Sequence, residues 1–248
     1  AHHAVGTAPV LPMAQALEWF TAAARDWLPG LPGTAPALRD VRVLHPATLT
    51  GLKDDGDVFT LTGRADPADP RTVAAELRGA ADRLHYGALV IPDAGPPVDE
   101  EFPLLADDEV PWYSDEIYDG TVLFHGPLMR SLATVDALSP EGARGTLHGL
   151  AALGWPDATA WHTDPAAVDG ALQLAVLWAT RALGGATLPM AVGGFHLHHR
   201  GPARGPLLCA VRRVWAEGDH AQCQVRLVQE DGTPFADLRD VELVRRPD

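Results

Sequence analysis

A chain of 248 residues, 46% apolar and 21% charged, is long enough to bury a substantial core, either as two small domains or as one large β-rich one. No apolar run approaches the roughly 18 residues that a membrane span needs, and a net charge of -14 argues against a nucleic-acid partner, because phosphate binding needs a basic face. The only cysteines are Cys209 and Cys223, so no disulfide framework is expected and both read as buried thiols of a reducing cytoplasm.

The opening AHHAVGTAPVLP has no Met, no basic n-region and no long apolar stretch, so the chain reads as a piece of something longer. Lys53 is the only lysine among abundant arginine, alanine, glycine and proline, a bias that fits a GC-rich bacterial genome. Met13, Leu17, Phe20, Ala24 and Trp27 recur at three- and four-residue spacing and predict a helix over residues 12–28, ended by Pro29 and Gly30. Strand character follows over 40–49, 57–65, 72–80 and 83–91, broken by the turn-rich KDDGD and DPADP. Residues 93–116 turn to proline and acid, with Pro96, Pro97, Pro103 and Pro111, and read as a linker. Residues 118–129 read as an aromatic strand running into the turn Gly126-Pro127.

A second helix is predicted over 165–183, with Val168, Leu172, Ala175, Val176 and Ala179 as its buried stripe. Strands resume over 191–200, 207–218, 220–232 and 235–246, with hairpin turns at Glu217-Gly218-Asp219 and Glu230-Asp231-Gly232. Both halves therefore place one long helix before an antiparallel meander. The expectation is an α+β fold made of a duplicated, helix-wrapped sheet: 1–95, a linker over 96–116, and 117–248.

Three segments carry chemistry. His3 precedes a glycine-bearing turn and Pro12, a favourable residue for opening a helix; free backbone N–H groups of that turn could donate to a carbonyl oxygen while the imidazole acts as base. A surface histidine pair, His2 and His3, is the plainer reading of the same residues. Asp169 and Gln173 are four apart and share a face of the second helix, where a desolvated carboxyl group could act as general acid. The alternative is that Asp164 caps the helix and Asp169 is a solvated first-turn acid. In the third segment, residues 118–129 from Tyr118 to Met129, the glycine of the Gly126-Pro127 turn allows close approach of a ligand, although an ordinary tight turn is the cheaper explanation.

Together these segments resemble, over essentially the whole chain, the dehydratase domains of polyketide and related multifunctional fatty-acid synthases. The family's His-x-x-x-Gly-x-x-x-x-Pro motif maps onto His3 and Pro12, its Gly-Pro turn onto Gly126 and Pro127, and its Asp-x-x-x-Gln/His motif onto Asp169 and Gln173. Thr7 stands where the family has glycine, with Gly6 one residue early; aligning on Gly6 makes His2 the base but misplaces Pro12. His125 replaces the usual Tyr, as in iterative and polyunsaturated-fatty-acid-type relatives, and is expected to touch substrate.

The resemblance implies a double hotdog fold, two long helices each wrapped by a curved antiparallel sheet, and a hydro-lyase converting a β-hydroxyacyl thioester to an α,β-enoyl thioester. His3 would remove the α-proton and Asp169 protonate the departing hydroxyl. Gln173 would orient Asp169 or the leaving water, and backbone N–H groups near Gly6 and Thr7 would polarise the thioester. Each positioned proton transfer contributes a factor of roughly 10² to 10⁴ in rate. No metal or redox cofactor is required; the substrate would arrive on the phosphopantetheine arm of an acyl carrier protein, within a multidomain, cytoplasmic and dimeric synthase. The competing functions are a double-hotdog cyclase of the product-template or pyran-forming type, and a silent acyl-binding scaffold.

His196, His198 and His199 are read as strand residues near the end of an acyl tunnel, in preference to a metal site, because no Cys or carboxylate lies beside them in sequence. Arg200, Arg204, Arg212 and Arg213 form a local basic exception that is either a carrier docking patch or plain solvated charge. The tryptophans at 19, 27, 112, 155, 161, 178 and 215 read as packing residues.

Overall fold

The computed structural model of the chain describes residues 3–5, 8–28, 36–52, 54–92, 112–113, 117–120, 122–156 and 160–246. A small hairpin of β1 (Ala4–Val5) and β2 (Ala8–Pro9) leads into helix α1 (Met13–Trp27), whose Met13, Leu17, Phe20 and Ala24 face the core as the spacing predicts. Helix α2 (Pro165–Leu183) differs from its expectation. Every residue from Pro165 to Ala179 is buried, so the helix has no wet face in its first four turns and runs through the interior instead of lying on it. Asp164 caps it, its carboxyl group accepting N–H bonds from Ala167 (2.9 Å), Leu150 (3.1 Å) and Ala203 (3.0 Å), and Gly184 ends it with φ 70°.

The large sheet holds eleven strands in the order β4-β5-β6-β3-β10-β13-β12-β11-β9-β8-β7, all antiparallel. These are β3 (Ala37–Val43), β4 (Thr60–Ala65), β5 (Val73–Arg78), β6 (Leu84–Ile91), β7 (Trp112–Tyr113), β8 (Leu132–Ser139), β9 (Gly142–Leu147), β10 (Thr187–Leu197), β11 (Leu207–Glu217), β12 (His220–Gln229) and β13 (Pro234–Arg245). Neither half is a plain meander. The strand that follows each helix, β3 or β10, skips past the next two and pairs with the third, β6 or β13. The two repeats of helix, strand and three-strand meander then join where β3 pairs with β10, Val41 opposite Val192 and Leu38 opposite Phe195.

Several sequence expectations need correction. The strand expected over 40–49 is Ala37–Val43; it stops before Pro46, which has no N–H to give a ladder. Strands β8 and β9 lie in LATVDALS and GARGTL, stretches with few β-branched or aromatic residues, and were not expected. Strand β7 falls inside the expected linker, the rest of which lies outside the described residues. The aromatic strand expected over 118–129 is, in its described residues 118–120 and 122–129, irregular backbone ending in a 3-10 turn at Pro127–Met129. Phe124 and His125 stack on each other, ring centroids 4.7 Å apart, an arrangement that the alternating side chains of a strand forbid.

Helices α1 and α2 are clamped by a buried carboxyl group. Glu18 on α1 accepts from His162 N (2.9 Å), Thr163 N (2.7 Å) and Thr163 Oγ1 (2.6 Å), in the segment that opens α2. Beside α2, Gly170 allows Ser131 to approach so closely that an added Cβ would lie 2.7 Å from the serine Cβ. Of the described tryptophans, Trp178 is fully buried, whereas Trp215 is exposed. Among the described residues no helix is long and apolar enough to cross a membrane.

Candidate active site

The hairpin holds His3 over the second turn of α2. Val10 N donates to His3 O (3.0 Å), and β2 is tied to the neighbouring loop by Leu49 N donating to Pro9 O (2.8 Å) and Leu11 N to Ala47 O (2.9 Å). His3 Nδ1 lies 3.3 Å from Val10 O; a carbonyl only accepts, so Nδ1 carries the proton in this bond and Nε2 presents its lone pair inward. Nε2 faces Asp169 Oδ1 at 4.0 Å. Asp169 is buried in the second turn of α2, not a solvated first-turn acid; the capping role belongs to Asp164 alone.

The other carboxylate oxygen is already occupied. Gln173 Nε2 donates to Asp169 Oδ2 (2.7 Å) and to Met129 O (2.8 Å), and His125 Nε2 lies 3.4 Å from the same Oδ2. Tyr118 fixes the amide's orientation: its hydroxyl donates to Gln173 Oε1 and accepts from Leu132 N at 2.9 Å. Burial pushes the Tyr118 phenol up, so it remains an O–H donor. His125 is buried, its ring edge-on to His3 with centroids 5.0 Å apart. Burial pushes the His125 imidazolium down to about 4, outweighing the opposing pull of Asp169. Oδ1 is thus the oxygen left free to exchange a proton with a ligand.

His3 lines two cavities. One, of about 210 Å³, is walled by His125, Asp169 and Gln173 at its polar end and by Leu172, Val176 and Tyr86 along its apolar length. The other, about 680 Å³, is an aromatic cleft lined by Trp19, Phe59, Trp155 and Trp161, with Pro12 in its wall. Trp161 also borders a third cavity, about 550 Å³, which holds Arg25, Arg200 and Arg204.

The structure therefore brings His3, His125, Asp169 and Gln173 together. Gly126 and Pro127 line neither cavity that His3 borders; they turn the chain so that Met129 O meets Gln173, with Met129 N donating to Gly126 O at 2.8 Å. Gly6, Thr7 and His2 lie outside the described residues. His196 is buried in β10, while His198 and His199 lie beyond the strand, His198 Nε2 3.1 Å from Asp237 Oδ2; none lines the cavity of Asp169. Tyr118, which opens the third segment, was given no role by sequence reasoning and Glu18 was missed: a tyrosine in an irregular stretch and an acid on an apolar helix carry no local signal of what they bind.

The family described as polyketide synthase dehydratase N-terminal domain matches residues 92–248, which include His125, Asp169 and Gln173. The chain belongs to the polyketide synthase dehydratase family. Dehydratase structures share its fold: that of the polyketide PpsC from Mycobacterium tuberculosis, 21% identical, superposes with a TM-score of 0.77 over 100% of this chain and 88% of that one. The dehydratase from the CurF module of curacin polyketide synthase, 14% identical, gives 0.77 over 99% and 88%. In sequence the dehydratase chain is 27% identical over 254 residues to a polyunsaturated fatty acid synthase protein of Thraustochytrium sp., a match covering 96% of this chain and 9% of that protein's length.

Proposed function

We propose that the chain dehydrates a β-hydroxyacyl thioester, carried by an acyl carrier protein, to the α,β-enoyl thioester during polyketide or fatty-acid chain building. The observation that carries this reading is His3 Nε2 standing 4.0 Å across from Asp169 Oδ1 in the wall of an apolar cavity. His3 takes the proton from the α-carbon, made acidic by the thioester carbonyl. The electron pair of that C–H bond becomes the new C=C bond as the β-carbon–oxygen bond breaks, and the proton on Asp169 Oδ1 goes to the leaving hydroxyl as water. His3 then holds the proton that Asp169 has lost, and its return across the short gap resets the pair.

Gln173 and His125 engage Oδ2, which directs the transferable proton to Oδ1. Backbone N–H groups near Gly6 and Thr7 are assigned to the thioester oxygen through the family motif. The acyl chain fits the 210 Å³ cavity, and the aromatic cleft on the other side of His3 suits the carrier's phosphopantetheine arm, with the arginine-lined cavity adjoining it. Under this reading the helix-and-meander repeat is a double hotdog, with residues 1–95 and 117–248 as its halves. The reaction requires no metal or redox cofactor. The partners are the carrier protein, neighbouring synthase domains and a second copy of the chain, in a bacterial cytoplasm. One relative of the same fold is described as monomeric, so sedimentation of the isolated chain decides the dimer.

The test is mass-spectrometric detection of water loss from carrier-bound β-hydroxyacyl thioesters, with wild type beside His3→Ala, His2→Ala and Asp169→Asn. Water loss that survives in His2→Ala and disappears in the other two supports the reading. A cyclised product from the wild type indicates a cyclase, and no turnover of either alcohol configuration across several chain lengths leaves the silent acyl-binding scaffold.

A further inference from the structure

His125 leaves a second imidazole beside the acid–base pair, and the three groups together have the composition of a transition-metal site. One ligand atom from each of His3, His125 and Asp169 lies within 4.8 Å of the others. His125 Nε2 is 3.4 Å from Asp169 Oδ2 and His3 Nε2 is 4.0 Å from Asp169 Oδ1. Metal bonds of about 2.0–2.2 Å in tetrahedral geometry place donor atoms roughly 3.3 Å apart, so the widest pair of ligand atoms has to close by up to about 1.5 Å.

The surrounding hydrogen bonds are those that metal ligands use. His3 Nδ1 donates to the Val10 carbonyl, which orients the ring and leaves Nε2 as the ligating atom. Gln173 donates to the carboxylate and holds it in place. His125 Nδ1 is buried without a hydrogen-bond partner among the described residues, so it can take the proton that Nε2 gives up, and the 3.4 Å contact of Nε2 with Asp169 Oδ2 is exchanged for the metal bond. All three residues line the same cavity, which gives an ion a route to them.

We propose that His3, His125 and Asp169 bind one Zn²⁺ or a like divalent transition-metal ion, and that the ion reversibly blocks the site by occupying both the base and the acid. Two imidazoles and one carboxylate suit Zn²⁺ and Co²⁺ and disfavour Mg²⁺, which demands an oxygen shell. Binding displaces protons and the contact between His125 Nε2 and Asp169 Oδ2, while the bonds from His3 to Val10 and from Gln173 to Asp169 remain. Inhibition as its consequence rests on the dehydratase reading; the metal site itself does not.

The test is titration of Co²⁺ into the chain, followed by its visible ligand-field absorption, then displacement by Zn²⁺ read calorimetrically. One equivalent is expected to bind wild type and a His198→Ala control alike. His3→Ala, His125→Phe and Asp169→Asn, each checked for folding by circular dichroism, should weaken it by about tenfold or more, the scale seen when a metal's ligand shell is disturbed. Zn²⁺ should also abolish water loss from the β-hydroxyacyl thioester, and chelation should restore it. Absence of a Co²⁺ spectrum in wild type, or equal affinity in all three variants, overturns the metal site. A protein that binds Co²⁺ as described but eliminates no water overturns the dehydratase reading and leaves the metal site standing.

Discussion

Replacing Glu18 with leucine removes the carboxyl group that accepts from His162 N, Thr163 N and Thr163 Oγ1 at 2.6–2.9 Å. The Thr163 hydroxyl can rotate to a new partner, but the two backbone N–H groups cannot move without unwinding the start of α2. An orphaned buried donor costs about 1–3 kcal/mol, and relief from burying the carboxyl group offsets part of that, so a net loss of about 3 kcal/mol is expected. For a chain of this size that corresponds to a fall in Tm of about 6–12 °C. The Asp164 cap follows Thr163 directly and Asp169 lies in the next turn but one, so kcat should fall with stability while KM changes little. Glu18→Gln keeps one acceptor oxygen and should lose about half as much. Thermal unfolding of the three proteins beside a steady-state assay decides it. A leucine variant with unchanged Tm, or a glutamine variant worse than leucine, would refute the idea that this group clamps α1 to α2.

Gly170→Ala would place a Cβ 2.5 Å from Ser131 Oγ, an overpacking that costs about 1–3 kcal/mol by urea denaturation; Ser131→Gly in the same chain should restore most of it. Gln173→Leu frees Asp169 Oδ2 of its strongest donor and should lower kcat about a hundredfold, as a misplaced reacting group does, with the fold retained by circular dichroism. Tyr118→Phe leaves both Gln173 Nε2 bonds intact and should cost less in kcat; the opposite order would show that Tyr118 acts directly. For Asp237, burial pushes the carboxyl up, but hydrogen bonds from His198 and Arg226 outweigh it and hold the group below the ordinary carboxylate range. A depressed native value means stability present above the unfolded value of about 4 and lost as pH falls below it. Wild type should therefore lose more stability than Asp237→Asn between pH 5 and pH 2, and parallel profiles would remove the pair from the acid response.

Much of this protein was readable from local pattern. Both long helices lie where three- and four-residue spacing put them, and strands β4, β5, β6 and β11, β12, β13 lie where alternation put them, because burial of one face imposes a period that the residues record. Strands β8 and β9 escaped because small residues such as those of GARGTL fit against α2 through size, which has no periodic signature. The segment 118–129 misled because its aromatic residues serve the site and not a sheet, Phe124 in a cavity wall and Tyr118 bonded to Gln173.

The helix-then-strands repeat and the residue types of the proposed acid–base pair are written in spacing and in short motifs, and so can be read without a fold. Which atoms meet was settled by packing. His3 and Asp169 are 166 positions apart in the chain, and their approach to 4.0 Å follows from the hairpin tied to residues 47–49 and from a helix buried on every face through its first four turns. The occupancy of Oδ2 by Gln173 and His125, which leaves Oδ1 facing His3, likewise depends on a backbone carbonyl and a tyrosine hydroxyl delivered from separate elements. Such geometry is set by long-range packing, and long-range packing has no local trace in the residues it unites.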